Sequence, residues 1–380
     1  MAKKQAKITK YYLIAGEASG DLHASNLVAE LKKKDPNAEF RGFGGDLMQK
    51  QGLELVKHYR TMNYMGFVEV AVNLRKVLQN ISLCKKDIEE YQPDAIILVD
   101  YPGFNLRIAE FAHEKGFKVF YYISPQVWAW KRRRVSKIKA SVDKMLVILP
   151  FEEEFYRQYG VDVTYVGHPL LDELKKFGQG NRSIFLRRNN LGEKREIIAL
   201  LPGSRPQEIK RTLGTMLKVV AHFPGYQFVV AGVPSVENAL YKRIIGNADV
   251  ILVENQTYDL LQNASAAVVT SGTATLETAL LSVPEVVCYK ATGFSYRLAK
   301  WFIKVKYICL VNLVMDKEVV KELIQNDMTE ENIVAELEQL LHNGKRQRKL
   351  LEDYDEFQES LGSAGASERA AEVICEGLSK

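Results

Sequence analysis

The chain has 380 residues, 47% hydrophobic and 26% charged, the balance of a globular protein long enough for two cores. Its 52 basic and 47 acidic residues leave a net charge of +5, which indicates no general nucleic-acid field, so anionic partners must be met by local clusters. No stretch reaches the roughly 18 uninterrupted apolar residues of a membrane span, and the basic start MAKKQAKITK leads into too short an apolar run for a signal peptide.

In chain order, residues 11–15 (YYLIA) read as a buried strand running into GEASGD at 16–21 and a helix to about Leu31. Ser19 or Asp21 fits as the cap of that helix, whereas Glu17, at the C-terminal end of a strand, is a binding-site candidate. Strand signals follow at 95–99, 118–123, 144–149 and 163–166, each after a helix-like stretch, the βαβ alternation of a parallel sheet. Between them, 65–81 places Phe67, Val70, Leu74, Val77, Leu78 and Ile81 on one helical face, to pack on the sheet or to meet a membrane or acyl chain. The run KRRRVSKIK at 131–139 is either a solvated face or, beside Trp128 and Trp130, a membrane-surface cluster. His168 in VGHPLLD is a site or a turn histidine, and 173–194, with Gly178, Gly180 and Gly192, reads as a linker.

The second half repeats the pattern, with strands near 196–201, 228–231, 249–253, 266–270 and 285–289. Two of them end in Gly- and hydroxyl-rich loops that open helices, EIIALLPGSR and AAVVTSGTATLE. At such a loop the bare backbone admits a ligand and the free N–H groups of the helix start favour an anion. Gly203 and Ser204 lead into Arg205, a guanidinium for a diphosphate; Ser271, Gly272, Thr273 and Ala274 form the second entrance, and Glu277, one turn inside, suits a ribose or sugar hydroxyl. Each loop alone is also explained as a tight βα turn, but two in one half-chain suggest a nucleoside diphosphate. Gly232 closes a further strand at the same edge. Residues 293–306 form a basic amphipathic helix suited to a membrane surface; Asn312 falls at a loop, and Glu318, Glu322 and Gln325 on one side of a helix. The stretch 329–380 reads as polar helix. Cys84, Cys288, Cys309 and Cys375 are scattered, with no Cys-x-x-Cys pair or neighbouring His, which fits a reducing cytoplasm and no metal site.

Taken together, GEASGD (16–21), MGFVEV (65–70), SPQVWAW (124–130), LPFE (149–152), GHPLLD (167–172), LPGSR (201–205), SGTATLE (271–277) and KELIQ (321–325) resemble the lipid A disaccharide synthases, glycosyltransferases of lipopolysaccharide assembly. The resemblance covers nearly the whole chain. It implies an α/β fold of GT-B type, two Rossmann-like parallel-sheet domains facing a central cleft. The domains are then 1–175 for the acceptor and membrane, 176–345 for the UDP-sugar, and 346–380 as a helical tail packing on the first domain or a partner subunit. The implied reaction is inverting: 2,3-diacylglucosamine passes from its UDP conjugate to 2,3-diacylglucosamine 1-phosphate, giving a β-1,6-linked disaccharide and UDP. The implied location is the cytoplasmic face of the bacterial inner membrane, as a peripheral protein, with monomer and homodimer both open.

Attack by a sugar hydroxyl on an anomeric carbon needs a base and positive potential for the departing diphosphate. Asp100, after the AIILV strand, is the first choice for the base, then Asp94 or Glu17; Arg205 and the N–H groups at 272–274 serve the leaving group. No Asp-x-Asp pair stands in a ligand-edge loop, so neither metal nor cofactor is expected. Two departures from the family pattern stand out: Gly103 occupies a position in DYPGFN where members often carry Asp, and Val311 precedes Asn312 in place of the usual Pro. The rival readings are another UDP-sugar transferase or UDP-GlcNAc epimerase on the same fold, or a non-catalytic UDP-sugar-binding protein.

Overall fold

The computed structural model describes residues 8–62, 74–128, 134–291, 306–342 and 344–379. The first part of the expected 65–81 helix (65–73), Trp130 with the start of the basic run (131–133), and nearly all of 293–306 lie outside the described residues.

The chain divides into two compact units, Met1–Asp172 with Ser363–Lys380, and Glu173–Gly362. The first unit is built on β1 (Lys10–Ala15), β2 (Glu39–Gly44), β3 (Glu54–His58), β4 (Ala95–Val99), β5 (Lys118–Tyr122), β6 (Lys144–Val147) and β7 (Val163–Tyr165). They form one sheet in the order β3-β2-β1-β4-β5-β6-β7, parallel at every pairing. The second unit contains β8 (Glu196–Leu201), β9 (Tyr226–Gly232), β10 (Val250–Glu254), β11 (Ala264–Thr270), β12 (Glu285–Tyr289) and β13 (Lys321–Ile324). Their order is β10-β9-β8-β11-β12-β13, again all parallel.

Helices cover both faces of each sheet, so the inner strands are apolar on both sides. In β4, Ile96 and Leu98 enter one core while Ala95, Ile97 and Val99 enter the other; in β8, Ile198 and Leu200 oppose Ile197, Ala199 and Leu201. This two-sided burial is why these strands read as continuous apolar runs. In both sheets the strand order reverses direction once, between β1 and β4 and between β8 and β11, and open α/β sheets bind ligands beyond the carboxyl ends of strands at such a point.

The helix Ala366–Ser379 belongs to the first unit. Its Ala370, Ala371 and Ile374 lie in the core with Tyr11, Leu13 and Tyr122. Asp172 caps it, accepting from the N–H groups of Gly365, Ala366 (3.2 Å) and Ser367 (3.1 Å). Arg369 donates to the carbonyls of Val166 (2.8 Å) and Ser363 (2.9 Å).

Several local expectations change. β2 and β3 carry no clear alternation: Gly42 and Gly44 interrupt the first, and the second is a polar edge strand. Glu322 lies in β13 rather than on a helix, because Lys321–Ile324 pairs with Val286–Tyr289. Asn312 sits inside the helix Leu310–Met315 rather than in a loop. The expected linker holds the helices Pro169–Phe177 and Arg182–Arg188. Asp21 does not cap its own helix; its carboxylate accepts from Gly45 (2.8 Å), Leu47 (3.1 Å) and Met48 (3.1 Å), capping the helix Asp46–Lys50. Among the described residues no helix is long and apolar enough to cross a membrane.

Candidate active site

In the second unit the direction reversal brings together the two loops singled out above. β8 runs through Pro202 and Gly203 into the helix Pro206–Lys218, with Arg205 as extended N-cap and Pro at its first position. Gly203 has φ +111, where a side chain is strained, and a Cβ there would press on Glu208. Thr212, buried, holds the loop by donating to the Pro202 carbonyl at 2.8 Å. Glu208 accepts from the Ser204 N–H at 3.2 Å and meets the Arg205 guanidinium at 3.2 Å; that guanidinium is 58% exposed, so little binds it in place and an anion can recruit it.

β11 leads through Ser271 to Gly272, the N-cap of the helix Thr273–Leu280. Gly272 and Thr273 are exposed, the N-cap glycine has no side chain to cap the helix, and its first turn carries no acid, so among the described residues its first N–H groups are open to an anion. Thr275 turns inward and donates to the Gly272 carbonyl at 2.8 Å. Ser271 donates to the Ile308 carbonyl at 3.3 Å. One turn inside the helix, Glu277 accepts from the Tyr258 hydroxyl at 2.9 Å; burial raises its pKa and that hydrogen bond opposes the rise. Gly232 ends β9 at the same edge, packed against Leu252 and the Val253 carbonyl. Asn312 is fully buried, its amide oxygen accepting from Val319 (2.8 Å) and Val320 (2.9 Å), its nitrogen donating to the Val320 carbonyl and Glu322 (both 2.9 Å). Glu322 in turn accepts from the N–H groups of Ile308 and Cys309, both at 3.0 Å. The pair thereby fixes the segment that receives Ser271.

In the first unit the reversal between β1 and β4 brings Glu17 and Asp100 to one edge, since Ala15 pairs with Val99 and each carboxylate follows within two residues. Both are half-buried. Asp100 has its pKa raised to about 6, first by burial and then by the charge of Glu17, with the Tyr101 backbone N–H opposing. Gly16 accommodates the neighbouring Tyr101 ring, which a Cβ there would overlap, and the Tyr101 hydroxyl donates to the Met62 carbonyl at 3.2 Å. The GEASGD and DYPGFN stretches thus meet face to face. Asp94 is not brought to them: it precedes β4, its carboxylate accepts from the Lys10 N–H at 2.9 Å, and it stands at the opposite edge of the sheet.

Other expectations separate here. Trp128 is buried rather than interfacial, donating from its indole to Glu152 at 3.2 Å; Glu152 also accepts from Ile148 and Leu149, and burial pushes its carboxyl up to about 7. Of the basic run, Lys137 pairs with Glu110 at 2.7 Å and Lys139 donates to the Tyr159 carbonyl at 3.2 Å. His168 is a buried turn histidine whose Nδ1 accepts from Leu170 at 3.2 Å; burial, then His23, lowers its pKa to about 3, so it is neutral. Among the described residues no group of His, Cys, Asp or Glu side chains is arranged to hold a metal ion. Sequence reasoning gave no role to Asn105, Tyr121, Glu208 or Tyr258; Asn105 lies inside a family-like stretch, but the others carry no signal by residue type.

The family model described as Lipid-A-disaccharide synthetase matches residues 11–374. The lipid-A-disaccharide synthase of Syntrophus aciditrophicus is 43% identical over 366 residues, covering 94% of this chain and 95% of that protein. That of Myxococcus xanthus is 40% identical over 370 residues, covering 96% of each. Among solved structures, the UDP-GlcNAc 2-epimerase from Neisseria meningitidis bound to UDP-GlcNAc aligns with a TM-score of 0.67 at 13% identity, covering 97% of this chain and all of that one (100%). The kitacinnamycin glycosyltransferase aligns with 0.67 at 15%, covering 98% and 100%. Those two likenesses show the GT-B type of fold, in epimerases and transferases alike; the sequence relatives decide between them. The chain belongs to the lipid-A-disaccharide synthase family, glycosyltransferases that join 2,3-diacylglucosamine from its UDP conjugate to 2,3-diacylglucosamine 1-phosphate.

Proposed function

We propose that the chain carries out this transfer with Asp100 as general base and with Arg205 and the start of the helix Thr273–Leu280 stabilising the departing UDP. The Asp100 carboxylate takes the proton of the acceptor 6-hydroxyl as its oxygen attacks the anomeric carbon. The anomeric C–O bond to UDP breaks, and its electron pair leaves on the diphosphate. The observation that carries the reading is the state of Asp100: a half-buried carboxylate at the ligand-bearing edge, held near pKa 6, where a base is both ionised and effective at neutral pH.

For the leaving group, the exposed Arg205 and the uncapped N–H groups at 272–274 supply positive potential, and Glu277 takes a ribose hydroxyl. Gly203, Ser204, Gly232 and Ser271 let the nucleotide approach the backbone, and Asn312 acts by holding the segment behind Ser271. An acceptor with two acyl chains resides in a bilayer, so the enzyme works as a peripheral protein on the cytoplasmic leaflet. Supporting this, Leu74 and Leu78, one helical turn apart, are 47% and 50% exposed.

The test is Asp100→Asn in an assay of UDP release with and without the lipid acceptor. Loss of a base typically costs about 10²–10⁴-fold, so kcat should fall by that factor while UDP binding is kept. Near-normal turnover would transfer the role to Glu17, its neighbour at that edge. UDP release that ignores the acceptor would defeat the transferase roles altogether.

A further inference from the structure

Asp100 and Tyr101 are consecutive non-glycine residues in the left-handed region, with φ +45 and +48. Such a conformation costs on the order of 1–3 kcal/mol per residue and persists only where surrounding contacts over-determine it. The contacts here are specific. The Asp100 N–H donates to the Tyr122 carbonyl at 3.1 Å, tying the turn to β5. The Asp100 carbonyl accepts twice, from the Tyr121 hydroxyl at 2.5 Å and from the Asn105 amide at 2.7 Å. The same amide nitrogen reaches the Val99 carbonyl at 3.2 Å and the Ile14 carbonyl at 3.4 Å, so its two hydrogens are shared among the ends of β1, β4 and the turn itself. Both side chains are fully buried, and the Asn105 amide oxygen has no hydrogen-bond partner among the described residues. The contacts that this amide makes there are thus those of its nitrogen, which ties the ends of β1 and β4 to the turn.

We infer that Asn105 and Tyr121 are positioning residues for Asp100: by gripping its backbone carbonyl they hold the turn in its left-handed form and aim the carboxylate at the ligand edge beside Glu17. This rests on the reading of Asp100 as the base. It also gives a physical meaning to the order of residues in DYPGFN. The carboxylate leads, the helix Pro102–Glu114 starts with proline directly after the strained turn, and Asn105 sits one turn in, where its side chain folds back on the carbonyl of residue 100.

Tyr121→Phe is the discriminating variant, because it removes one hydroxyl and keeps the ring that fills the core. Its control is Tyr12→Phe, which removes a buried hydroxyl of the same sheet bonded to Asp87 at 2.8 Å. We expect Tyr121→Phe to retain a cooperative melt and unchanged UDP affinity, to lower kcat about ten-fold, and to move the acid limb of the rate profile below its position near 6 as the carboxylate relaxes toward solvent. In an Asp100→Asn background the same substitution should cost nothing further, since the group it positions is gone. Tyr12→Phe should leave kcat and the acid limb unchanged.

The inference is overturned if Tyr121→Phe matches wild type in kcat and acid limb, or if its loss is equally large in the Asp100→Asn background. An inactive Asp100→Asn beside a normal Tyr121→Phe sinks the positioning role and leaves the base intact. An active Asp100→Asn sinks both.

Discussion

At the direction reversal of its sheet the first unit offers Glu17 and Asp100, with no basic residue in residues 16–21 or 100–105. At the equivalent reversal the second unit offers Arg205 and a helix start capped by glycine, and the nearby acids are engaged, Glu208 with the Ser204 N–H and Arg205 and Glu277 with the Tyr258 hydroxyl. The frames are nearly the same, a parallel sheet whose order turns back beside its first strand, yet one edge presents two neighbouring carboxylates and the other an exposed guanidinium beside helix N–H groups. The difference teaches where each half of the chemistry resides. Topology supplies a place for a ligand in both units, and in the mechanism we propose the side chains make one place remove a proton and the other receive a diphosphate.

The most severe way to probe that contrast is to take the positive charge out of the second unit. Arg205→Ala should lower kcat by on the order of 10²–10³-fold, the usual cost of removing a group that meets charge developing on a leaving group. A purified, folded variant with normal turnover would assign the diphosphate to the backbone alone. Next comes the acid side of the first unit. Asp100 must be ionised to act, and its pKa is raised to about 6, so kcat/KM should fall about ten-fold per pH unit below that value and level off above it. Burial is the larger cause and the Glu17 charge the second, so Glu17→Gln should move this limb to lower pH. A limb that stays in place would mean that burial alone sets it.

A smaller effect concerns the first unit's exposed apolar face. Leu74→Ser with Leu78→Ser removes on the order of 1 kcal/mol of apolar contact at each half-exposed side chain, so binding to anionic vesicles should weaken roughly ten- to thirty-fold without altering the melt. Sedimentation equal to wild type would rule out a membrane role for this helix. The smallest expected effect is none: if Arg205 and the helix start carry the leaving-group charge, EDTA should leave the rate unchanged, and a loss restored by Mg²⁺ would put a metal beside them.

How far the sequence could be read follows from the same architecture. β1, β4, β5, β8, β9, β11 and β12 are legible because both of their faces are buried and each is an apolar run ending in a loop, and the edge strand β10 because its run VILV is apolar. β13 was not, because four residues of an edge strand with Lys321 and Glu322 look like helix until Val286–Tyr289 is beside them. The loops after β1, β8 and β11 announce themselves by their position. Their supports do not: Tyr121 is 21 residues from Asp100 and Tyr258 is 19 from Glu277, and only the pairing of distant elements gives either a function. Asn312 shows the opposite failure, since its type suggested a polar loop although all its hydrogen-bonding capacity is spent inside the protein.

The return of Ala366–Ser379 to the first unit bears on how the chain is made. Ala370, Ala371 and Ile374 complete a core whose other members all precede residue 172, and Asp172 waits for the N–H groups of residues 365–367. On the ribosome the whole of Glu173–Gly362 is synthesised in between, which at roughly 5–20 residues per second takes roughly 10–40 s. During that interval Tyr11, Leu13 and Phe120 lack part of their cover, which arrives only with residues 366–379. The unit that is begun first is therefore completed last: the half bearing the carboxylate edge keeps one face of its core open until the whole of the other half has been made.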